Sequence, residues 1–249
     1  MNAIALKGVE RKLGSFVLGP LDLTVPRGAV LAFVGPNGAG KTTTLDLLMG
    51  MGSADRGEIG VLGLTMPRDE VAIKSKVAYV SPDLNFTPWG SVGRALDFVR
   101  GFYPDWNQDR CERLLTEFSV ARNERIAALS FGARIKLSLV MALSRDAELL
   151  LLDEPTVGLD VNARLLLFRE IRDFVKRQDG TKGRTVVISS HQLSDLEKLA
   201  DHVAILNKGR LIATGRMDEL VERHAPMSLE EIFIALIADQ KVADKKGAS

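Results

Sequence analysis

The sequence predicts an α/β fold with a mainly parallel sheet, an antiparallel β layer at the N-terminus and an inserted helical subdomain. Three features carry that expectation. Apolar runs at 29–34, 149–152 and 185–190 are separated by stretches of helix spacing, the order a parallel sheet requires. The first run leads straight into Gly35-Pro36-Asn37-Gly38-Ala39-Gly40-Lys41-Thr42, a complete G-x-x-x-x-G-K-[ST] loop, and then into a helical run from Thr43. The second run ends on a pair of acids, Asp153 and Glu154, at the strand end where an open parallel sheet presents its ligand site.

Residues 3–25 read as short strands with turns near Gly14-Ser15 and Gly19-Pro20, because apolar residues alternate at Phe16 and Leu18 and again at Leu21, Leu23 and Val25. Pro26-Arg27-Gly28 is a turn into the first buried strand. Gly50 and Gly52 end the helix after the glycine-rich loop, and residues 57–63 form a further short strand. A strand at Val77-Ala78-Tyr79-Val80 runs into the turn Ser81-Pro82-Asp83. Residues 91 to about 146 then keep helix spacing, as in Leu96 and Val99 and in Cys111, Leu114, Leu115 and Phe118. Within this insert Tyr103-Pro104-Asp105-Trp106 is a connector whose aromatics read as packing residues.

After the strand at 149–152 comes a helix at 164–178, the strand at 185–190 and a hairpin at 202–215 around Asn207-Lys208-Gly209. A last helix places Leu229, Ile232, Phe233, Leu236 and Ile237 on one face. The expected organisation is one domain over 1–240, with a core at 1–88 and 147–225, a helical subdomain at about 89–146 and a C-terminal helix at about 228–240. Residues 241–249 read as a polar tail that frays.

Composition narrows the partners. With 33 Lys+Arg against 32 Asp+Glu the net charge is +1, so no bulk charge argues for nucleic acid, and none is expected as a partner. A hydrophobic content of 46% supports a substantial core. The single cysteine, Cys111, excludes an intrachain disulfide and fits a reducing cytosol. Residues 1–10 lack a charged-then-apolar leader, and no apolar stretch approaches the roughly 18 residues that span a bilayer. The chain alone is therefore expected to be soluble, with membrane attachment through another subunit left open.

The glycine-rich loop suits a nucleoside triphosphate. Gly35, Gly38 and Gly40 can adopt backbone angles closed to other residues, so successive N–H groups turn inward around phosphate oxygens. The following helix aims its positive end at the same place, Lys41 can bridge the outer phosphates, and the Thr42 hydroxyl can ligate Mg²⁺. Asp153 is suited to hold Mg²⁺ through water, and Glu154 to polarise the water that attacks the γ-phosphate. Ser130, before the helical run 133–142, is a good N-cap and alone reads as no more than that. His191, after the strand at 185–190, can face the same sheet edge, and alone reads more often as a structural histidine.

These residues, in this order, resemble the ATP-binding subunit of ABC transporters, built on a P-loop NTPase core, over nearly the whole chain. The resemblance rests on GPNGAGKT at 35–42, LSFG at 129–132, LLLLDEP at 149–155, Gly158-Leu159-Asp160 and His191. It implies a head-to-tail dimer, homodimer or heterodimer, sandwiching two ATP molecules. Residues Gly35, Pro36, Asn37, Gly38, Ala39, Gly40, Lys41, Thr42 and Thr43 would cradle the nucleotide, with Thr42 and Asp153 at Mg²⁺. Ser130 and Gly132 would present a helix N-terminus to the γ-phosphate held by the other subunit. Glu154 would be the catalytic base, His191 a γ-phosphate contact beside Lys41, and Asp160 an interface residue linking the two sites. A separate transmembrane permease would carry the cargo, leaving this chain cytoplasmic and peripheral on the inner face of the membrane. The FYPDW insert, the diverged signature and the separate short chain look most like bacterial ABC-2-type exporters.

Three positions depart from the family pattern. Where an aromatic usually stacks on adenine this chain has Leu13, with Phe16 as a substitute or as a core residue. The family's glutamine after Tyr79-Val80-Ser81 is replaced by Pro82, so Ser81, Asp83 or water would take its place. In the signature, Phe131 and Ala133 replace glycine and glutamine. The expected activity is hydrolysis of ATP coupled to transport, probing two competitors: a soluble ABC ATPase acting on DNA or ribosomes, and a phosphate-loop kinase. Relatives of the first kind generally carry a coiled coil, a zinc hook or two ATPase domains in one chain, and a kinase would leave LSFG and His191 unexplained.

Overall fold

The computed structural model describes residues 1–176, 183–190 and 193–246. Two sheets are stacked. The first is antiparallel, in the order β2-β1-β4-β5, from β1 (Asn2–Leu13), β2 (Phe16–Pro26), β4 (Arg56–Val61) and β5 (Leu64–Met66). The second follows the order β10-β9-β3-β8-β7-β6, from β3 (Val30–Val34), β6 (Val77–Val80), β7 (Leu149–Leu152), β8 (Thr185–Ser190), β9 (His202–Asn207) and β10 (Arg210–Arg216). Its strands pair in parallel except for the β9–β10 hairpin.

The continuous apolar runs follow from a sheet covered on both faces. In β3, Val30, Ala32 and Val34 enter a core shared with helices, while Leu31 and Phe33 enter a second core under the antiparallel layer. In β7, Leu150 and Leu152 take the helical side and Leu149 and Leu151 the other. Each Val, Leu or Phe side chain among them contributes about 1.5–3 kcal/mol relative to exposure. Parallel registers Val34↔Ser190, Leu152↔Ile188 and Val80↔Leu152 bring the carboxyl ends of four strands to one edge.

The helices are α1 (Lys41–Leu48), α2 (Glu70–Lys76), α3 (Val92–Arg100), α4 (Gln108–Glu117), α5 (Phe131–Leu143), α6 (Val161–Val175), α7 (Leu193–Glu197), α8 (Met217–Arg223) and α9 (Leu229–Lys246). Ser130 caps α5 by accepting the Ala133 N–H, and α5 buries Ile135, Leu137 and Leu139. Asp160 caps α6 by accepting the Ala163 N–H, and Ala163, Leu167, Ile171 and Phe174 form its buried stripe.

Several local expectations change. The leading strands are two long ones, because β1 pairs with both β2 and β4 and absorbs its irregularities as register shifts. The helix expected at 164–178 starts at Val161, set by its Asp160 cap, and is followed to Val175. Within 91–146, α3, α4 and α5 are separated by turns that include a short 3₁₀ segment at Ile126–Ala128, and a second at Thr87–Trp89 precedes α3. Helix α9 does not stop at 240 but continues through Lys246, since Ala and Lys sustain a helix once its start is packed.

Candidate active site

The loop after β3 is moulded by close packing. A Cβ on Gly35 would lie 2.3 Å from the Leu206 carbonyl oxygen, so no larger residue fits. Gly40 has φ 108°, and a Cβ there would lie 2.6 Å from Leu18 and 3.1 Å from Phe16. The Ala39 N–H closes the loop onto the Pro36 carbonyl at 3.1 Å. Residues 37–43 line a cleft of about 510 Å³ together with Leu13, Phe16 and Glu154.

Lys41, at the first position of α1, is buried. Its Nζ donates to the Gly35 carbonyl at 2.7 Å and lies 3.4 Å from Glu154 Oε1. Thr42 Oγ1 donates to Asp153 Oδ2 at 2.6 Å. Asp153 is only 2% exposed, and its other oxygen, Oδ1, accepts from Ser189 Oγ at 2.6 Å. That same Ser189 oxygen accepts the Glu154 N–H at 2.9 Å, which holds Glu154 at φ 46°, a left-handed conformation that a non-glycine residue adopts under constraint. Four expected residues, Lys41, Thr42, Asp153 and Glu154, are thus brought together by three adjacent strands. Ser189 is a functional residue the sequence reading missed, and its only signal was a polar side chain inside a buried apolar strand.

Thr42 and Asp153 offer hard oxygen donors 2.6 Å apart, a set that suits Mg²⁺ completed by phosphate and water. Among the described residues no group of three or more His, Cys, Asp or Glu could hold a metal ion. Behind the site the Tyr79 hydroxyl donates to Asp46 Oδ1 at 3.2 Å. Burial, with the Asp153 charge adding to it, keeps the Asp46 carboxyl above its ordinary value despite that bond, and burial likewise pushes the Tyr79 phenol up.

A second cluster does not line the cleft. A Cβ on Gly132 would lie 2.2 Å from the Gly158 carbonyl, so the 130–132 turn packs directly on the 158–160 loop. Lys136 Nζ donates to Asp160 Oδ2 at 2.8 Å, and that bond with the Ala163 N–H holds the Asp160 carboxyl down to about 2. Phe131, beside Gly158, is 47% exposed. Ser130, Gly132 and Asp160 are therefore neighbours of each other and absent from the lining of the Lys41 cleft. His191 lies outside the described residues.

At the departures, Leu13 and Phe16 both line the cleft, and Phe16 also packs on the core beneath the antiparallel layer. Next to Pro82, Ser81 is buried and its hydroxyl accepts the Asp83 N–H at 3.3 Å.

Comparison with known proteins places these features in a family. Residues 18–157 match the family model described as ABC transporter. The Nod factor export ATP-binding protein I of Bradyrhizobium diazoefficiens is 35% identical over 93% of this chain and 76% of its own length. A solved ATP-binding subunit of an ABC transporter superposes with a TM-score of 0.82 at 25% identity, covering 94% of this chain and 99% of that one. A dimeric ATP-binding cassette solved in a post-hydrolysis state with ADP and phosphate gives 0.74 at 19% identity over 86% of this chain and 98% of its own.

Proposed function

The chain belongs to the ABC transporter family, and from that premise we propose how its residues act as the ATP-hydrolysing subunit that powers transport through a separate transmembrane partner. The observation that carries the proposal is the convergence of Lys41, Thr42 and Glu154 on one cleft, with Asp153 bonded to Thr42 at its edge and Ser130 and Gly132 elsewhere in the same chain.

In this reading the loop 35–40 wraps the phosphates with backbone N–H groups, and Thr43 follows at the start of α1. Lys41 exchanges its Gly35 carbonyl for phosphate oxygens and neutralises charge that spreads over them in the transition state. Thr42 and Asp153 would hold Mg²⁺, which would supply positive charge against the phosphates. Glu154 orients a water in line with the γ-phosphorus and takes up its proton as the new P–O bond forms and the bond to the β-phosphate oxygen breaks. His191, by family resemblance, would touch the γ-phosphate.

Residues of about 89–146 would form a helical subdomain that carries Ser130 and Gly132 to the γ-phosphate of a second copy. One chain carries the Lys41 cleft and the Ser130-capped helix apart, so a head-to-tail pair of such chains would complete two sites by symmetry. Asp160, tied to Lys136 of α5 and capping α6, would lie at that interface. Among the described residues no helix is long and apolar enough to cross a membrane, so the permease would supply the translocation path and hold this chain at the inner face of the membrane. The resemblance to an ATP-binding protein of Nod factor export favours export as the direction.

Glu154→Gln is expected to keep ATP binding, lower phosphate release at least about 100-fold and accumulate ATP-bound dimer. Unchanged turnover would remove Glu154 from the role of base.

A further inference from the structure

The turn after β9 joins separate parts of the molecule behind the glycine-rich loop. Gly209 N–H donates to the Ala39 carbonyl at 2.9 Å, and the Gly209 carbonyl accepts the Gly19 N–H at 2.7 Å. Lys208 at φ 46° and Gly209 at φ 78° give the tight left-handed turn that makes both bonds reachable. Just before it, the Leu206 carbonyl occupies the place a Gly35 side chain would need, and the Leu206 side chain would lie 3.4 Å from a Cβ on Gly40. Residues 206–209 are the wall against which the loop is shaped.

That wall is held by a helix that touches no phosphate. Asn207 is only 5% exposed, and its Nδ2 donates to Gln240 Oε1 of α9 at 2.7 Å. The helix is anchored at its other end, where Leu229 and Ile232 are fully buried and the Leu229 N–H donates to Glu197 Oε2 at 3.1 Å. We propose that Gln240 is a positioning residue for the phosphate loop: through Asn207 it fixes the 207–209 turn, and through that turn the backbone that binds nucleotide. The inference rests on the reading of residues 35–43 as the nucleotide site.

The chemistry sets which kinetic constant responds. A buried amide that loses its partner shifts toward water to regain one, and Asn207 stands two residues before the Gly209 N–H that bonds the Ala39 carbonyl, so a shift carried by its backbone moves the turn. The loop holds phosphate oxygens before and during bond breaking, so loosening it weakens substrate and transition state alike. Such uniform loss raises KM and leaves kcat nearly unchanged.

Full-length Gln240→Met keeps the stem and loses the acceptor, whereas Gln240→Glu keeps an oxygen for Asn207. The KM for MgATP is expected to rise about 3- to 10-fold in Gln240→Met with kcat within about twofold, and to return to the wild-type value in Gln240→Glu. An unchanged KM in Gln240→Met, whatever its Tm, or an equal rise in both variants, overturns the proposal. Wild-type protein that hydrolyses no ATP would overturn the nucleotide-site reading instead, so the two failures are told apart.

Discussion

Ser189 is the residue on which both acids turn. One hydroxyl donates to Asp153 Oδ1 and accepts the Glu154 N–H, so it fixes the carboxylate proposed to hold Mg²⁺ and the left-handed backbone of the proposed base together. Ser189→Ala removes both bonds inside a fully buried pocket. Loss of alignment on the scale of 1 Å at a reacting group is costly, so kcat is expected to fall roughly 10- to 100-fold, with a lowered melting temperature from the two buried groups left unpaired. Steady-state turnover beside a thermal melt checks this, and an unchanged kcat contradicts it. Lys41, Thr42, Asp153 and Glu154 were legible in the sequence because loop and strand-end chemistry need those residue types at fixed spacing. Ser189 was not, because its role exists only once β7 and β8 are in register, Leu152 against Ile188. The bond from Lys136 to Asp160 was hidden for the same reason, since it joins residues of two different helices.

Between elements, α4 and α6 are clasped by a buried acid. Glu170 of α6, 2% exposed, takes Arg113 at 2.8 Å and Arg110 at 3.0 Å from α4. Burial alone would raise its carboxyl, but Arg113 and Arg110 outweigh that and hold it below the ordinary 4.5. A depressed folded-state value means the stabilisation is complete above pH 4.5 and is lost as pH falls through the lower folded value. Glu170→Gln leaves two arginines facing a neutral group and is expected to cost about 3 kcal/mol at neutral pH. Thermal melts at pH 7 and in acid should show a gap between variant and wild type that closes on acidification; a gap independent of pH contradicts the ion-pair account. The sequence displayed the strands well at this scale, because runs such as 149–152 must be apolar on both faces. It displayed short and terminal pieces poorly. Strand β5 and helix α2 hold too few residues for a period to emerge, the start of α6 is set by a cap, and α9 extends into a polar stretch that has helix propensity but no apolar stripe.

At the scale of the whole molecule, the central claim is that two chains build each site. In the proposed reading Lys41, which lines the cleft, and Ser130, which does not, meet at one nucleotide from different chains. The most direct measurement mixes two inactive variants. Lys41→Ala removes the phosphate cation, and Ser130→Asp keeps a good helix cap while setting a negative charge against the incoming phosphate. In a head-to-tail mixed dimer one site carries both lesions and the other carries none. Each variant alone should hydrolyse little ATP, while an equal mixture should regain about a quarter of wild-type turnover, from half the dimers with one working site each. A mixture no more active than its separate components would contradict the account.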